Sequence, residues 1–167
     1  MLRLRPYKTG DAETIISWIK DEYAFRQWSA DRYDHYPITP EDMNRQYHGL
    51  TDEDWFYPMT AFDENGIVGH MIMRFTDKEK TELRFGFVIV DVTKRGQGYG
   101  KEMLKLALKM SFDILKAKAV TLGVFENNPA AYYCYKAAGF RDVPMEEPEY
   151  YPIFGEKWKC LELRIDA

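Results

Sequence analysis

A glycine-rich turn between a strand pattern and a helix pattern is the feature that most constrains this chain. The run 88–90 ends an apolar strand, and Gly96, Gly98 and Gly100 follow closely. The stretch 103–115 then carries apolar residues at helical spacing. A strand that enters a helix through such a turn directs backbone N–H groups and the positive end of the helix dipole toward one point. The sequence therefore predicts a phosphate-binding loop.

Two common phosphate loops do not fit this turn. A dinucleotide fingerprint needs a third glycine where Lys101 stands. An NTP-binding loop needs Gly and then Ser or Thr where Arg95 and Glu102 stand. A glycine-rich turn that binds no ligand is the alternative, and the glycines alone do not decide between the two.

Length and composition fit one folded domain, residues 1–167. The chain is 46% hydrophobic, which is enough for a sizeable core. Its 23 Lys and Arg against 27 Asp and Glu give a net charge of −4. Nucleic-acid-binding domains carry an excess of basic residues, which this chain lacks. No apolar run approaches the ~20 residues that cross a bilayer, and the first residues lack a signal-peptide pattern. We therefore expect a cytoplasmic protein with neither nucleic acid nor membrane as a partner.

Residues that bind metals or act as nucleophiles form no recognisable motif. Cys134 and Cys160 each lack a CxxC partner, so neither a disulfide framework nor a redox motif is expected. His35, His48 and His70 have no ligand spacing to one another or to the cysteines, so we expect no metal site. The Gly-x-Ser-x-Gly motif of a hydrolase is absent.

Hydrophobic periodicity predicts a mixed α/β domain with a mostly antiparallel sheet of six or seven strands flanked by helices. We expect strands near 2–7, 55–62, 67–75, 82–90, 120–125, 140–143 and 157–165. We expect helices near 11–19, 40–49, 100–116 and 128–138. The aromatic stretch 23–37 is expected to be a helix end and a long loop, and 145–154 a second loop. Strict alternation along the strand 82–90 would put Glu82, Arg84, Gly86, Val88 and Val90 on one face.

Two motifs together resemble those of the GNAT acetyltransferase superfamily. The first is Arg95-x-x-Gly98-x-Gly100, and the second is Asn128-x-x-Ala131-x-x-x-Tyr135-x-x-x-Gly139-Phe140. The stretch 123–128 is similar to the branch that includes ribosomal-protein N-acetyltransferases. The close resemblance covers about 83–140. It implies a GNAT fold, with the fourth and fifth strands splayed apart, and an N-acetyltransferase that uses acetyl-coenzyme A.

The resemblance also implies roles for individual residues. The diphosphate would bind the loop residues Arg95, Gly96, Gln97, Gly98, Tyr99, Gly100 and Lys101. Backbone groups of Val88 and Val90 would pair with the pantetheine arm, and the Val88 N–H would face the thioester oxygen. Asn128 would cap its helix and contact the cofactor. Tyr135 would be the general acid that protonates the departing thiolate.

The general base does not follow from the two motifs. Where several family members carry a catalytic Glu, this chain has Arg84, and Glu82 lies one pleat away. Glu82 is therefore the candidate base. The alternative is that it pairs with Arg84 or with a neighbouring strand, while water deprotonates the amine.

The acceptor is expected near 23–37 and 145–154, where the resemblance places it. Both stretches are aromatic and acidic, which would attract a cationic amine; a solvated acidic loop is the alternative. The acceptor is expected to be a primary amine, either a protein N-terminus or a small molecule, and the protein a monomer or homodimer. A non-catalytic acyl-coenzyme A-binding module is the alternative function.

Overall fold

The strands form one continuous sheet. The computed structural model describes all residues, 1–167, and its sheet has eight strands in the order β1-β2-β3-β4-β5-β8-β6, with β7 pairing β8 beside β6. The strands are β1 Arg3–Pro6, β2 Phe56–Asp63, β3 Gly66–Phe75, β4 Glu82–Val90, β5 Ala119–Phe125, β6 Arg141–Asp142, β7 Glu149–Ile153 and β8 Glu156–Asp166. All neighbours run antiparallel except β4 and β5, which are parallel. The predicted fold class is confirmed.

Five α-helices flank the sheet: α1 Ala12–Ser17, α2 Glu22–Ser29, α3 Pro40–Tyr47, α4 Tyr99–Lys109 and α5 Pro129–Ala137. Local sequence explains where they begin. At α3 the Thr39 hydroxyl accepts from the Asp42 N–H (3.1 Å), while the Asp42 carboxylate accepts from the Thr39 N–H (2.9 Å). At α5 the Asn128 side chain accepts from the Ala131 N–H (3.4 Å). None of the helices combines the length and apolar composition that a membrane crossing requires.

The sheet opens between β4 and β5. Only three residue pairs join these strands, from Glu82–Ala119 to Arg84–Thr121. Beyond Arg84 each strand continues without the other, so the two diverge over their second halves. The expected splay of the fourth and fifth strands is present, and it leaves unpaired backbone groups facing a gap.

A β-bulge interrupts the ladder between β3 and β4. Between the pairs His70–Ile89 and Ile72–Gly86, one residue of β3 faces two residues of β4. One of these two, Phe87, has a positive φ of 49°. The alternation of side chains along β4 therefore reverses at this point.

The reversal corrects the predicted faces of β4. Two core clusters lie on opposite sides of the sheet, one against α4 and α5 and the other against α1 and α3. Leu83, Phe85, Val88 and Val90 pack with the first cluster, whereas Phe87 and Ile89 pack with the second. Because Glu82 alternates with Leu83, it does not share a face with Val88 and Val90. That expectation was wrong.

Three local elements differ from those that hydrophobic periodicity predicted. The stretch 23–37 contains a full helix, α2, before its loop. The helix α4 ends at Lys109, and a π-helical turn, Met110–Ile114, continues the chain. The segment expected to be a loop at 145–154 contains β7, which makes the eighth strand.

Candidate active site

The gap between β4 and β5 is a cavity of about 620 Å³, which we call the β4–β5 cleft. Its walls are residues 85–90 of β4 and 122–124 of β5, together with residues from 18–28, the glycine-rich loop and α5. The loop and α5 are neighbours, because a Cβ on Gly100 would stand 3.1 Å from Sγ of Cys134. Val88, Val90, Asn128 and Tyr135 all line it. The structure therefore brings these four predicted site residues together with the loop.

The loop has the shape of an anion cradle. Gly96 and Gly98 have positive φ values of 78° and 86°, and the space beside each is empty. Gly98 caps α4, and the Glu102 N–H donates to the Gly98 carbonyl (3.0 Å). The N–H groups of the first helical turn thus have no intrahelical partner and are available to an anion.

Positive side chains surround this cradle. Lys94, Arg95 and Lys101 line the cleft with Gly96, Gly98, Tyr99 and Gly100, whereas the predicted ligand Gln97 does not. Sequence reasoning missed Lys94 as a loop cation. The Tyr99 hydroxyl donates to the Asp63 carboxylate (3.1 Å), which ties the loop to the β2–β3 turn. A diphosphate fits this combination of charge, open glycines and free N–H groups.

Tyr135 lines the cleft and is only 8% exposed. Burial raises the pKa of its phenol above the usual value, so the group stays protonated across the physiological range. The neighbouring Tyr132 donates to the Asp142 carboxylate outside the cleft (2.8 Å), and Tyr133 is exposed. Of the three tyrosines on α5, Tyr133 and Tyr135 line the cleft, and only Tyr135 is buried.

Glu82 lies outside the cleft. Its carboxylate accepts from Arg164 of β8 (3.1 Å), while Arg84 pairs with Glu162 of the same strand (2.9 Å). Glu82 therefore pairs neither with Arg84 nor with an adjacent strand, but with β8, the strand beyond β5. Its role as a base depended on a face shared with Val88 and Val90, and the bulge removes that shared face.

A second cavity, of about 350 Å³, opens on the other face of the sheet and meets the cleft at the splay. The two share Trp28, Gly123 and part of β4, residues 85–87. Three arginines, Arg32, Arg74 and Arg84, line this arginine cavity together with aromatic side chains. No Asp or Glu lines it.

The lining of the arginine cavity differs from the acidic acceptor mouth that the sequence predicted. Trp28, Arg32 and Tyr151 of the cavity come from the two predicted acceptor stretches, but no carboxylate of those stretches lines it. Sequence reasoning missed Arg74. The two predicted strands 67–75 and 82–90 could have revealed it, because pairing them as a hairpin places Arg74 opposite Arg84.

A family comparison decides what this arrangement is. Residues 1–141 match the model of the acetyltransferase (GNAT) domain family. The chain belongs to the GNAT acetyltransferase family. The match covers β1 to β5, the glycine-rich loop and both motifs, so the resemblance seen in the sequence is confirmed over residues 1–141.

Similar GNAT proteins include named polyamine acetyltransferases. A spermidine N(1)-acetyltransferase of Vibrio cholerae is 22% identical over 83% of this chain and 78% of its own length. A spermine/spermidine N(1)-acetyltransferase of Bacillus subtilis is 27% identical over 52% of this chain, an alignment that spans only 60% of the Bacillus enzyme. The crystal structure of the Vibrio cholerae spermidine N-acetyltransferase with CoA and spermine superimposes with a TM-score of 0.83 at 20% identity, over 99% of this chain and 95% of that one. At this identity the likeness establishes the GNAT fold.

Proposed function

We propose that this GNAT protein transfers an acetyl group from acetyl-coenzyme A to a primary amine by direct transfer in a ternary complex. The observation that carries the proposal is the β4–β5 cleft, which is lined both by the anion cradle and by the buried Tyr135. Acetyl-coenzyme A supplies an acetyl thioester when bound. In the transfer the C–S bond breaks, a C–N bond forms and the amine loses one proton.

The chain's own groups bind and orient the donor. The cradle at Gly96 and Gly98, with Lys94, Arg95 and Lys101, would hold the diphosphate. The exposed backbone edge at Val88 and Val90 would pair with the pantetheine amides as a missing strand does. The Val88 N–H would donate to the thioester oxygen, and Asn128 would contact the same ligand.

Proton transfer needs one donor and one acceptor. Tyr135 would be the donor to the leaving sulfur, because it lines the cleft and its phenol is protonated at neutral pH. Glu82 is not proposed as the base, since it pairs with Arg164 outside both cavities. Water that enters through the arginine cavity would accept the proton of the incoming amine.

The acceptor would reach the thioester from the arginine cavity. That cavity meets the cleft at Gly123 and at residues 85–87, on the face away from the glycine-rich loop. Its volume of about 350 Å³ favours a small-molecule amine over a folded protein N-terminus. The polyamine acetyltransferases among its relatives also favour a small acceptor.

Binding and turnover test the proposal separately. We expect calorimetry to show acetyl-coenzyme A binding, and thiol release to show turnover with at least one primary amine. Mass spectrometry of the protein with acetyl-coenzyme A alone should show no acetylated chain. Binding without turnover of any amine or peptide would support the acyl-coenzyme A-binding module instead, and absence of binding would overturn both.

A further inference from the structure

Arg74 and Arg84 stand directly opposite each other on β3 and β4. Like charges at opposed positions of a sheet repel each other, so this pair is unfavourable unless something neutralises it. Both guanidinium groups line the arginine cavity. Their placement therefore concentrates positive charge on one wall of that cavity.

Arg84 has a carboxylate partner and Arg74 has none. Nη1 of Arg84 donates to Thr121 (3.1 Å) and to Glu162 (2.9 and 3.1 Å). Nη2 of Arg84 lies against Gly123, where an added Cβ would stand 2.9 Å from it. This places an uncommitted N–H face of Arg84 at the junction between the arginine cavity and the β4–β5 cleft.

Arg74 is a half-buried guanidinium with no ion pair. Burial, with Arg84 and Arg32 nearby, lowers its pKa below the ordinary arginine value. Arg32 lines the same cavity from the loop after α2 and also lacks an ion pair. An unpaired, partly desolvated guanidinium beside two others is costly for an empty cavity and favourable for one that takes an anion.

The carboxylates around the cavity leave an excess of positive charge. Glu162 is held by Arg84. Glu149 lies at the rim, where it contributes to the raised pKa values of Tyr151 and Cys160. Three arginines thus face two carboxylates, and neither carboxylate pairs with Arg74 or Arg32.

We propose that the acceptor is a small amine that also carries an anionic group, a carboxylate or a phosphonate, bound by Arg74 with Arg84 and Arg32. This inference rests on the proposed acetyltransferase function. The aromatic walls, which include Trp28, Trp55 and Tyr151, bind the apolar body of the same molecule. A polyamine is the opposite case, because each added ammonium would approach guanidinium groups with no carboxylate in the cavity wall to receive it.

Matched amines that differ in one charge test the proposal. L-phenylalanine is compared with L-phenylalaninamide, and 2-aminoethylphosphonate with ethanolamine, beside spermidine. We expect the anionic member of at least one pair to have a kcat/KM about 10-fold or more above its neutral partner, and spermidine to be the poorer substrate. The two pairs distinguish a carboxylate from a phosphonate. Equal values within both pairs, or preference for spermidine, would overturn the inference while leaving the acetyltransferase proposal intact.

Variants at Arg74 separate recognition from folding. Arg74→Gln should raise KM for the anionic amine about 10-fold or more, with kcat and the KM of neutral amines nearly unchanged. Arg74→Glu should shift preference toward spermidine. Arg45→Gln, at a 73% exposed arginine on α3 outside the cavity, is the matched control and should change nothing. If Arg74→Gln raised KM equally for neutral and anionic amines, Arg74 would not be recognising the anionic group.

Direct binding keeps the inference testable without turnover. With coenzyme A bound, calorimetry should show that L-phenylalanine or 2-aminoethylphosphonate binds more tightly to the parent than to Arg74→Gln. If no amine is acetylated and this difference is present, the acetyltransferase proposal fails and the anion site remains. If binding does not depend on Arg74, the anion site fails whatever the turnover.

Discussion

The hydroxyl of Tyr47 and Nε2 of His70 meet at 2.8 Å inside the core. Tyr47 is 2% exposed and His70 is fully buried. Burial lowers the pKa of His70 to about 3, from an ordinary value of 6.5. The unfolded chain begins to protonate this imidazole near pH 6.5. In the folded protein the imidazole is still neutral at that pH.

Stability should fall as the pH drops below about 6.5. The unfolded state then binds a proton at His70 that the folded state excludes until about pH 3. Between pH 7 and pH 5 this single group should lower the free energy of unfolding by about 2 kcal/mol. Urea denaturation at a series of pH values measures it, and His70→Gln should flatten the profile over this range.

NMR titration provides a check that does not depend on the variant. His70 should show no titration between pH 5 and pH 8, whereas the exposed His35 should titrate above its ordinary value, because Asp34 and Asp42 raise its pKa. A His70 resonance that titrates near pH 6.5 would contradict the assignment.

Gly98→Asp should weaken acetyl-coenzyme A binding by about 10-fold or more, because it adds bulk and negative charge at the anion cradle. Gly49→Asp is the matched control, since Gly49 has a similar positive φ (80° against 86°) and equally empty space, but lies after α3. Both variants carry the same backbone strain, and only the first should lose affinity in calorimetry. Equal affinities for the two would remove the cradle assignment.

Tyr135→Phe should lower kcat by about 100-fold or more while leaving acetyl-coenzyme A affinity nearly unchanged. The substitution keeps the ring and removes the hydroxyl that carries the proton. Tyr132→Phe, which removes a hydroxyl bonded to Asp142 outside the cleft, should retain activity. A Tyr135→Phe enzyme as active as the parent would make this tyrosine a packing residue.

Glu82→Gln should leave the pH dependence of kcat/KM parallel to that of the parent. The change removes an ion pair with Arg164 at a partly exposed position, which is worth at most about 1 kcal/mol of stability. Activity should stay within about twofold. A variant that is rescued selectively at high pH, most strongly with a basic acceptor, would restore Glu82 as the base.

The sequence was sufficient for the family and for most of the fold. The capping box at Thr39 and Asp42 marked α3, and the glycines at 96 and 98 marked the turn before α4. These signals are local: a cap, a turn residue or a periodic stripe acts through its nearest neighbours along the chain. Periodicity therefore identified most elements and their order.

The acceptor side depended on contacts between distant residues. The bulge at Phe87 follows from how β4 meets β3, and strict alternation had placed Glu82 on the wrong face. The strand β7 exists because β8 is long enough to pair with it. Arg74 and Arg32 come together only when a sheet register and a loop are both fixed.

The bulge at Phe87 separates two sets of side chains that can change independently over evolution. Before it, Arg84 and Gly86 line the arginine cavity, and beyond it Val88 and Val90 line the cleft. If the proposed roles hold, substitutions at Arg32, Arg74 or Arg84 would alter which amine enters without disturbing the loop at Gly96 and Gly98. One strand would then let acceptor preference diverge between paralogues while the donor half is inherited unchanged.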